Sequence, residues 1–118
     1  TGIPLYLPSE ITLIKAEASA RTGNLSAALT ELNKVITKTT AADPFRIGAN
    51  LPASTASTAD AILTEIYKNR CIELFMSGLK LEDMRRFGRA NAERKRNFFP
   101  YPFRERDGNI NTPADPSF

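Results

Sequence analysis

The chain lacks histidine and tryptophan altogether, and it has a single cysteine among its 118 residues. Without histidine, the commonest general base and metal ligand is missing. One cysteine can form neither an internal disulfide nor a cysteine-rich zinc site. A glycine-rich phosphate loop, a Cys-x-x-Cys pair and a Gly-x-Ser-x-Gly elbow are also missing. We therefore expect no enzymatic activity, no catalytic residue, no metal site and no cofactor.

Long apolar runs are missing as well. No apolar stretch reaches the length of about 18 residues that indicates a membrane-spanning helix. The N-terminus has neither the basic start nor the apolar core of a signal peptide, so any export signal is expected to lie outside this chain. Cys71 falls in an apolar helical pattern, which favours a buried and unreactive thiol.

The overall composition is that of an ordinary soluble globular protein, with 42% hydrophobic and 25% charged residues. Disorder of the whole chain is therefore not expected. A chain of this length has room for one modest domain or fragment.

The first third of the chain predicts a helical hairpin over residues 8–38. Apolar residues and alanines recur at helical spacing from Pro8 onward, and Gly23 is a suitable C-cap. A second helical pattern follows from about residue 25, with Asn24 or Ser26 as its N-cap. Because only a few residues join the two helices, they must pack antiparallel.

The small residues of this hairpin have an informative spacing. Ala16 and Ala20 precede Gly23, and Ala28 and Leu32 follow it, a layout that resembles the helix-turn-helix unit of tetratricopeptide repeats. Small side chains there allow two helices to approach closely. The alternative is a generic alanine-rich helical hairpin.

Residues 39–57 have two prolines, one glycine and no clear period, and they predict a long loop. Loops of this length are commonly functional or disordered. Phe45, Ile47 and Leu51 are the residues expected to anchor part of it to the helices.

A second helical hairpin is predicted over residues 58–88. Its first helix starts near Thr58, with Asp60 in the first turn, and Gly78 interrupts the pattern. A short fourth helix is then predicted from about Lys80 to Phe87, and Gly88 ends it. Residues 89–118 are proline-rich and read as an extended tail. The fold class is therefore all-α, with about four helices in tetratricopeptide-like hairpins and an extended C-terminal tail.

Four charged residues lie among apolar residues in the second hairpin. Arg70 and Glu73 are three apart and share a helix face, and Lys80 and Asp83 repeat that spacing on the next helix. Because burying an unpaired ion is costly, such residues need partners. We predict that the four form a structural ion network that links the third and fourth helices.

The segment from residue 80 to residue 106 is basic, with nine positive and four negative side chains. Its aromatic cluster consists of Phe98, Phe99, Tyr101 and Phe103, and such a mixture is found on surfaces that bind single-stranded nucleic acid. No nucleic-acid fold pattern accompanies it, however. We interpret the charges as solvating a helix end and pairing with acids, and we expect no nucleic-acid partner.

Several motifs resemble those of one protein family. Residues 69–88 are similar to Glu-Arg-x-x-Glu-Leu-x-x-Glu-Gly-x-Arg-x-x-Asp-Leu-x-Arg-x-Gly, a signature near the C-terminus of SusD/RagB-like outer-membrane nutrient-binding lipoproteins. Residues 13–18 and 32–35 resemble the family's Leu-Ile-x-Ala-Glu-Ala and Leu-Asn-x-Val segments. The tail at 99–105 and 115–118 resembles its Pro-Ile-Pro-x-x-Glu and Asn-Pro-x-Tyr ends.

The chain departs from the signature at three positions. Asn69 and Ser77 stand where the family usually has Glu, and Lys80 stands where it has Arg. Lysine lacks the bidentate geometry of arginine, so a looser ion network is expected here.

The resemblance implies both a function and partners. Family members are longer lipoproteins built on tetratricopeptide-like helical pairs. They are lipid-anchored at the cell surface of the outer membrane, where they capture glycans or other nutrients with a TonB-dependent, SusC-like transporter. By that resemblance, this chain is the C-terminal scaffold portion, and no ligand-binding residue is carried over. The alternative is a free-standing tetratricopeptide-like module that binds a protein or a peptide.

Overall fold

The structure is a computed structural model that describes residues 5–94 and 99–114. Within these ranges it is all-helical and has no strand, which confirms the predicted fold class. Four helices have seven or more residues and two are single turns. They are α1 (Pro8–Arg21), α2 (Leu25–Ile36), α3 (Ala59–Glu73), α4 (Lys80–Arg86), α5 (Asn91–Arg94) and α6 (Phe103–Arg106).

The turn between α1 and α2 is built as the sequence predicts. Gly23 has φ +84°, a left-handed conformation that glycine adopts without a steric penalty. Its N–H donates to the Ala20 carbonyl, and the Asn24 N–H donates to the Ser19 carbonyl, which together form a Schellman motif. The Asn24 side chain then accepts the Ala27 N–H and caps α2. One glycine and one asparagine thus end the first helix and begin the second.

The core lies where α1, α2 and α3 meet. Ala16, Ala20 and Ala28 are fully or nearly fully buried, so the small residues of the predicted repeat-like hairpin lie inside the core. The largest fully buried side chains are Leu13, Leu32, Ile62 and Ile66. Burial of one such side chain stabilises the fold by about 1.5–3 kcal/mol.

Helix α3 begins as predicted. The hydroxyl oxygen of Thr58 accepts the Ala61 N–H at 3.2 Å, and Asp60 lies in the first turn. Towards its end the helix is less covered, since Ile72 is 59% exposed and Phe75, just beyond it, is 80% exposed.

The loop over residues 39–57 is held by hydrogen bonds. Phe45 and Leu51, which were expected to anchor it, are 45% and 52% exposed, so that expectation was wrong for these two residues. Instead, the Leu51 N–H donates to the Ile36 carbonyl at 3.1 Å, and the Asn50 N–H donates to the Lys38 carbonyl at 3.0 Å. Main-chain pairing therefore returns the loop to the end of α2.

Gly48 lies directly against the backbone that leaves α2. A Cβ added there would be 2.6 Å from the Thr39 carbonyl carbon and 2.7 Å from the Lys38 oxygen. Backbone atoms cannot move aside as a flexible side chain can. The loop therefore needs glycine at this position for close approach.

Met76, in the turn after α3, gives a testable prediction about backbone strain. Its φ is +63° and its side chain is 87% exposed, so a left-handed conformation is imposed without compensating burial. We expect Met76→Gly to raise the free energy of unfolding by about 0.5–1 kcal/mol in urea denaturation. Lys68→Gly, at an exposed position inside α3, is the control and should lower it by about 1 kcal/mol. Equal losses from both variants would contradict the strain argument.

Backbone contacts divide the chain after Lys80 into two compact units. In the second unit, α4 ends in another Schellman motif: Gly88 has φ +63°, and the Arg89 N–H donates to the Met84 carbonyl. The described tail beyond is mostly without regular structure, apart from the single turns α5 and α6.

The arginines of the second unit have local partners. Arg85 lies 2.5 Å from Glu82, and Arg89 lies 2.7 Å from Glu93. Such pairs, three and four residues apart in the sequence, agree with the interpretation of the basic segment as a solvated and paired surface. Phe99 and Phe103 of the aromatic cluster are 80% and 77% exposed, whereas Phe98 lies outside the described residues.

Candidate functional site

A buried lysine joins three parts of the first unit. Lys38, just after α2, donates from Nζ to Ser9 Oγ at 2.6 Å, to Asp43 Oδ2 at 2.8 Å and to Glu73 Oε2 at 2.6 Å. These partners belong to the first turn of α1, to the loop and to the end of α3. The ammonium group has three donors, and all three are used. We call these four residues the Lys38 cluster.

The charges of the Lys38 cluster are almost completely shielded from water. The side chains of Lys38, Asp43 and Glu73 are 10%, 6% and 8% exposed. Burial alone would lower the pKa of Lys38, but its hydrogen bonds to the two carboxylates outweigh burial and raise the pKa. Burial would raise the pKa of Asp43, yet the hydrogen bond from Lys38 and the N–H groups of Phe45 and Ile47 together lower it. Lys38 and Asp43 are therefore both stabilised in their ionised forms.

These pKa directions predict how stability depends on pH. Because the pKa of Asp43 is lowered on folding, its contribution is present above the unfolded pKa of about 3.9 and is lost as the pH falls through the lower folded value. Because the pKa of Lys38 is raised, its contribution is present below about pH 10.4 and is lost as the pH rises through the higher folded value. We expect urea midpoints to fall on both sides of a plateau between about pH 4 and pH 10.

The variant Asp43→Asn measures how much Asp43 contributes to the loss of stability at low pH. Glu31 also has a lowered pKa, mainly through its hydrogen bond with Lys34. Protonation of Glu31 therefore also lowers the stability of the fold at acid pH. The variant should be less stable than the parent chain at pH 7, and the difference should shrink as the pH falls below about 4. A difference independent of pH would contradict the assignment of Asp43.

The four residues of the predicted ion network occupy different settings. Arg70 and Asp83 are each 4% exposed, and both make polar interactions. Glu73 belongs to the Lys38 cluster, and Asp83 accepts a hydrogen bond from Arg86 at 2.7 Å. Pairing among the four themselves stays a prediction. The cluster that the structure does show is centred on Lys38, a residue that the sequence did not single out.

Lys80 contacts two side chains of α3. Its Nζ donates to the Tyr67 hydroxyl at 2.9 Å and to Cys71 Sγ at 2.7 Å, and it lies 4.6 Å from the centre of the Tyr67 ring. Burial lowers the pKa of Lys80, and the contacts with Cys71 and Tyr67 raise it above its ordinary value overall. The expectation of a buried thiol was wrong, because Cys71 is partly exposed. It faces the start of α4 rather than the core.

A groove of about 740 Å³ lies between α3 and the loop segment 51–56, all within the first unit. Asn33 of α2 fixes this loop wall: its Oδ1 accepts the Ser54 N–H at 2.8 Å, and its Nδ2 donates to the Ser54 carbonyl at 3.3 Å. One carboxamide thus pairs with both main-chain groups of a residue 21 positions away. Directed hydrogen bonds therefore help to position this wall.

A comparison with known protein families identifies the family of this chain. A family model described as the SusD family matches residues 3–115, nearly the whole chain. This chain belongs to the SusD family. No curated protein and no solved structure matched it.

Membership of the SusD family implies a role in nutrient binding by a surface lipoprotein of the outer membrane. The binding proteins of the SusD family are not enzymes. The described residues contain no group of three or more His, Cys, Asp or Glu side chains that could hold a metal ion. Among the same residues, no helix is both long and apolar enough to span a membrane.

Several residues of the SusD-like motifs lie in the core or make long-range polar contacts. Leu13 and Ala16 of the first motif are fully buried, as is Leu32 of the second, while Asn33 holds the loop. Glu73 of the signature joins the Lys38 cluster. These motif residues therefore contribute to the packing and the polar contacts of the first unit.

Sequence reasoning missed Lys38 and Asp43. Lys38 follows a helix end, where a lysine is ordinarily solvated. Asp43 did carry a signal, because it precedes Pro44 and its Oδ1 accepts the Phe45 N–H at 2.8 Å, as turn-forming aspartates do. That signal predicts a turn, but it does not identify a buried cation.

Proposed function

We propose that this chain is the C-terminal scaffold portion of a cell-surface lipoprotein that binds glycans or other nutrients. In this proposal the lipoprotein works with a TonB-dependent, SusC-like transporter of the outer membrane. The observation that carries it is the SusD family match over residues 3–115. The transporter, the glycan and the lipid anchor in this proposal come from the family.

The contacts of the first unit support a scaffold role. The Lys38 cluster ties α1, the loop and α3 to the end of α2, and Asn33 adds a second fixed point for the loop. Rigid helical supports with a positioned loop are a common arrangement in binding proteins, because loops carry specificity and scaffolds hold them. Glycan capture would thus draw on a loop whose placement is fixed before binding.

Isolation from the producing bacterium tests this proposal. We expect an epitope-tagged protein to be found in the outer-membrane fraction, to incorporate labelled fatty acid and to be cut by protease added to intact cells. Affinity isolation in mild detergent should recover a TonB-dependent transporter, identified by mass spectrometry. Lys34→Met is a matched control for Lys38→Met, since only the latter should reduce recovery by disturbing the scaffold.

The same isolation experiment can also contradict the proposal. A protein found in the soluble fraction, without lipid and without a transporter, would overturn the proposal. Recovery of a peptide or protein ligand in that fraction would favour the free-standing module instead.

A further inference from the structure

Cys71 and Lys80 bring a thiol and an amine into direct contact. Lys80 Nζ lies 2.7 Å from Cys71 Sγ, although the two residues are nine positions apart in the sequence. Helix α3 supplies the thiol, and the first residue of α4 supplies the amine. The single cysteine of the chain therefore lies beside a side chain with which it can form a covalent bond.

Tyr67 holds the Lys80 amine in this position. The Tyr67 hydroxyl accepts a second hydrogen bond from Nζ at 2.9 Å, and the ring centre lies 4.6 Å from the same atom. Attraction between a cation and an aromatic ring stabilises this placement. Because Tyr67 is only 7% exposed, it is a fixed support and not a mobile surface side chain.

Small oxidants can reach this pair from solvent. Cys71 is partly exposed, and Lys80 is exposed. A partly exposed thiol beside a cationic group is the usual setting of redox-active cysteines, whereas a thiol inside an apolar core is inert. Peroxides oxidise such thiols to sulfenic acids, and a sulfenic acid can condense with a nearby nitrogen atom.

We propose that Cys71 and Lys80 form an oxidation-sensitive modification site, in which a peroxide oxidises the thiol and the Lys80 amine then bonds to the Cys71 sulfur. The resulting S–N bond, a sulfenamide, closes a ring over residues 71–80, which include the left-handed Met76 of the turn after α3. Such a ring restricts the unfolded chain, and so it stabilises the turn until a thiol reductant opens it. The site is independent of the proposed function, since no nutrient, transporter or lipid takes part in it.

Both steps balance with a peroxide as the oxidant. The Cys71 sulfur attacks one peroxide oxygen, and the O–O bond breaks; with hydrogen peroxide the products are a sulfenic acid and water, so sulfur is oxidised and the peroxide is reduced. Lys80 then gives one proton to solvent, and its lone pair attacks the sulfenic sulfur. The N–S bond forms, the S–O bond breaks, and the leaving hydroxide takes up a second proton from nitrogen to become water. The chain loses two hydrogen atoms overall.

The pair is a property of this chain and is not part of the family signature. The signature has Arg at the position of Lys80 and no fixed residue at the position of Cys71. The guanidinium group of arginine is delocalised and stays protonated, so it is a poor nucleophile. A return to Arg at this position should therefore abolish the reaction.

Peptide mapping of the full chain tests the proposal, because trypsin cleaves after Lys80 only while its amine is free. The untreated chain gives the peptides 71–80 and 81–85. After a small excess of hydrogen peroxide at mildly alkaline pH, we expect a peptide 71–85 that is two hydrogen atoms lighter than its sequence, with or without oxygen added to its methionines. Dithiothreitol should remove this product and restore cleavage after Lys80. Fragmentation in the mass spectrometer locates the bond.

Three variants identify the two bonded atoms. Lys80→Arg keeps the positive charge, and it should give a sulfenic acid that dimedone labels but no bonded peptide. Cys71→Ser should give neither product. Lys68→Arg replaces the other lysine near Cys71, one turn earlier in α3, and it should leave the yield of the bonded peptide unchanged.

Several results would overturn the proposal. These are intact cleavage after Lys80 in the peroxide-treated chain, oxidation of Cys71 only to sulfenic or sulfinic acid, and the same bonded product from Lys80→Arg. A bond from Cys71 to Lys68 or to a second chain would overturn it as well. Because the bond is located in the parent chain itself, the test stays decisive even if a variant fails to fold.

Discussion

Replacing Lys38 with methionine is expected to lower the free energy of unfolding by about 3–5 kcal/mol. The methylene stem is largely preserved, but the carboxylates of Asp43 and Glu73 are left without their counter-ion at 6% and 8% side-chain exposure. Removing one partner of a buried ion pair is far more damaging than removing the whole pair, because the remaining charge stays desolvated. Urea denaturation followed by circular dichroism at pH 7 measures the loss.

Two further variants show whether charge is the cause. Lys34→Met is the same substitution in α2, at a lysine whose side chain is 57% exposed and which pairs with Glu31, and it should change stability by less than about 1 kcal/mol. Adding Asp43→Asn and Glu73→Gln to Lys38→Met should recover part of the loss, since the Lys38 cluster then contains no buried charge. Equal effects of Lys38→Met and Lys34→Met would show that the Lys38 cluster has no special role.

Truncating Ile66 to alanine should destabilise the chain by about 2–5 kcal/mol. Ile66 is fully buried in α3, so the substitution removes apolar contact and leaves a cavity that the neighbouring helices can only partly fill. Ile72→Ala is a matched control in the same helix. Ile72 is 59% exposed, and we expect this variant to lose less than about 1 kcal/mol in the same urea titration. Comparable losses would place the core somewhere other than the meeting point of α1, α2 and α3.

Local signals made the helices predictable. Gly23 and Asn24 act within one turn of where they stand, and the Thr58 cap acts three residues ahead, so their roles can be read from neighbouring residues. Alanine spacing likewise predicted which side of the first hairpin is buried. Such features depend on chain segments shorter than a helix.

The Lys38 cluster could not be predicted in the same way. Lys38 and Glu73 are 35 residues apart, and a long loop without periodicity lies between them. The family signature marked Glu73 as structural, but its partner lies outside the signature. The groove could not be predicted from the sequence either, because its loop wall is positioned by Asn33, 21 residues before Ser54. Long-range polar contacts of single residues leave no periodic trace in a sequence.

The bond between Asn33 and Ser54 has a consequence for how this surface can evolve. The carboxamide recognises only the N–H and C=O of residue 54, groups that every residue except proline possesses. Side chains along the wall can thus be exchanged without moving the wall itself. Point mutations can thus change the chemistry of the groove while its shape is inherited.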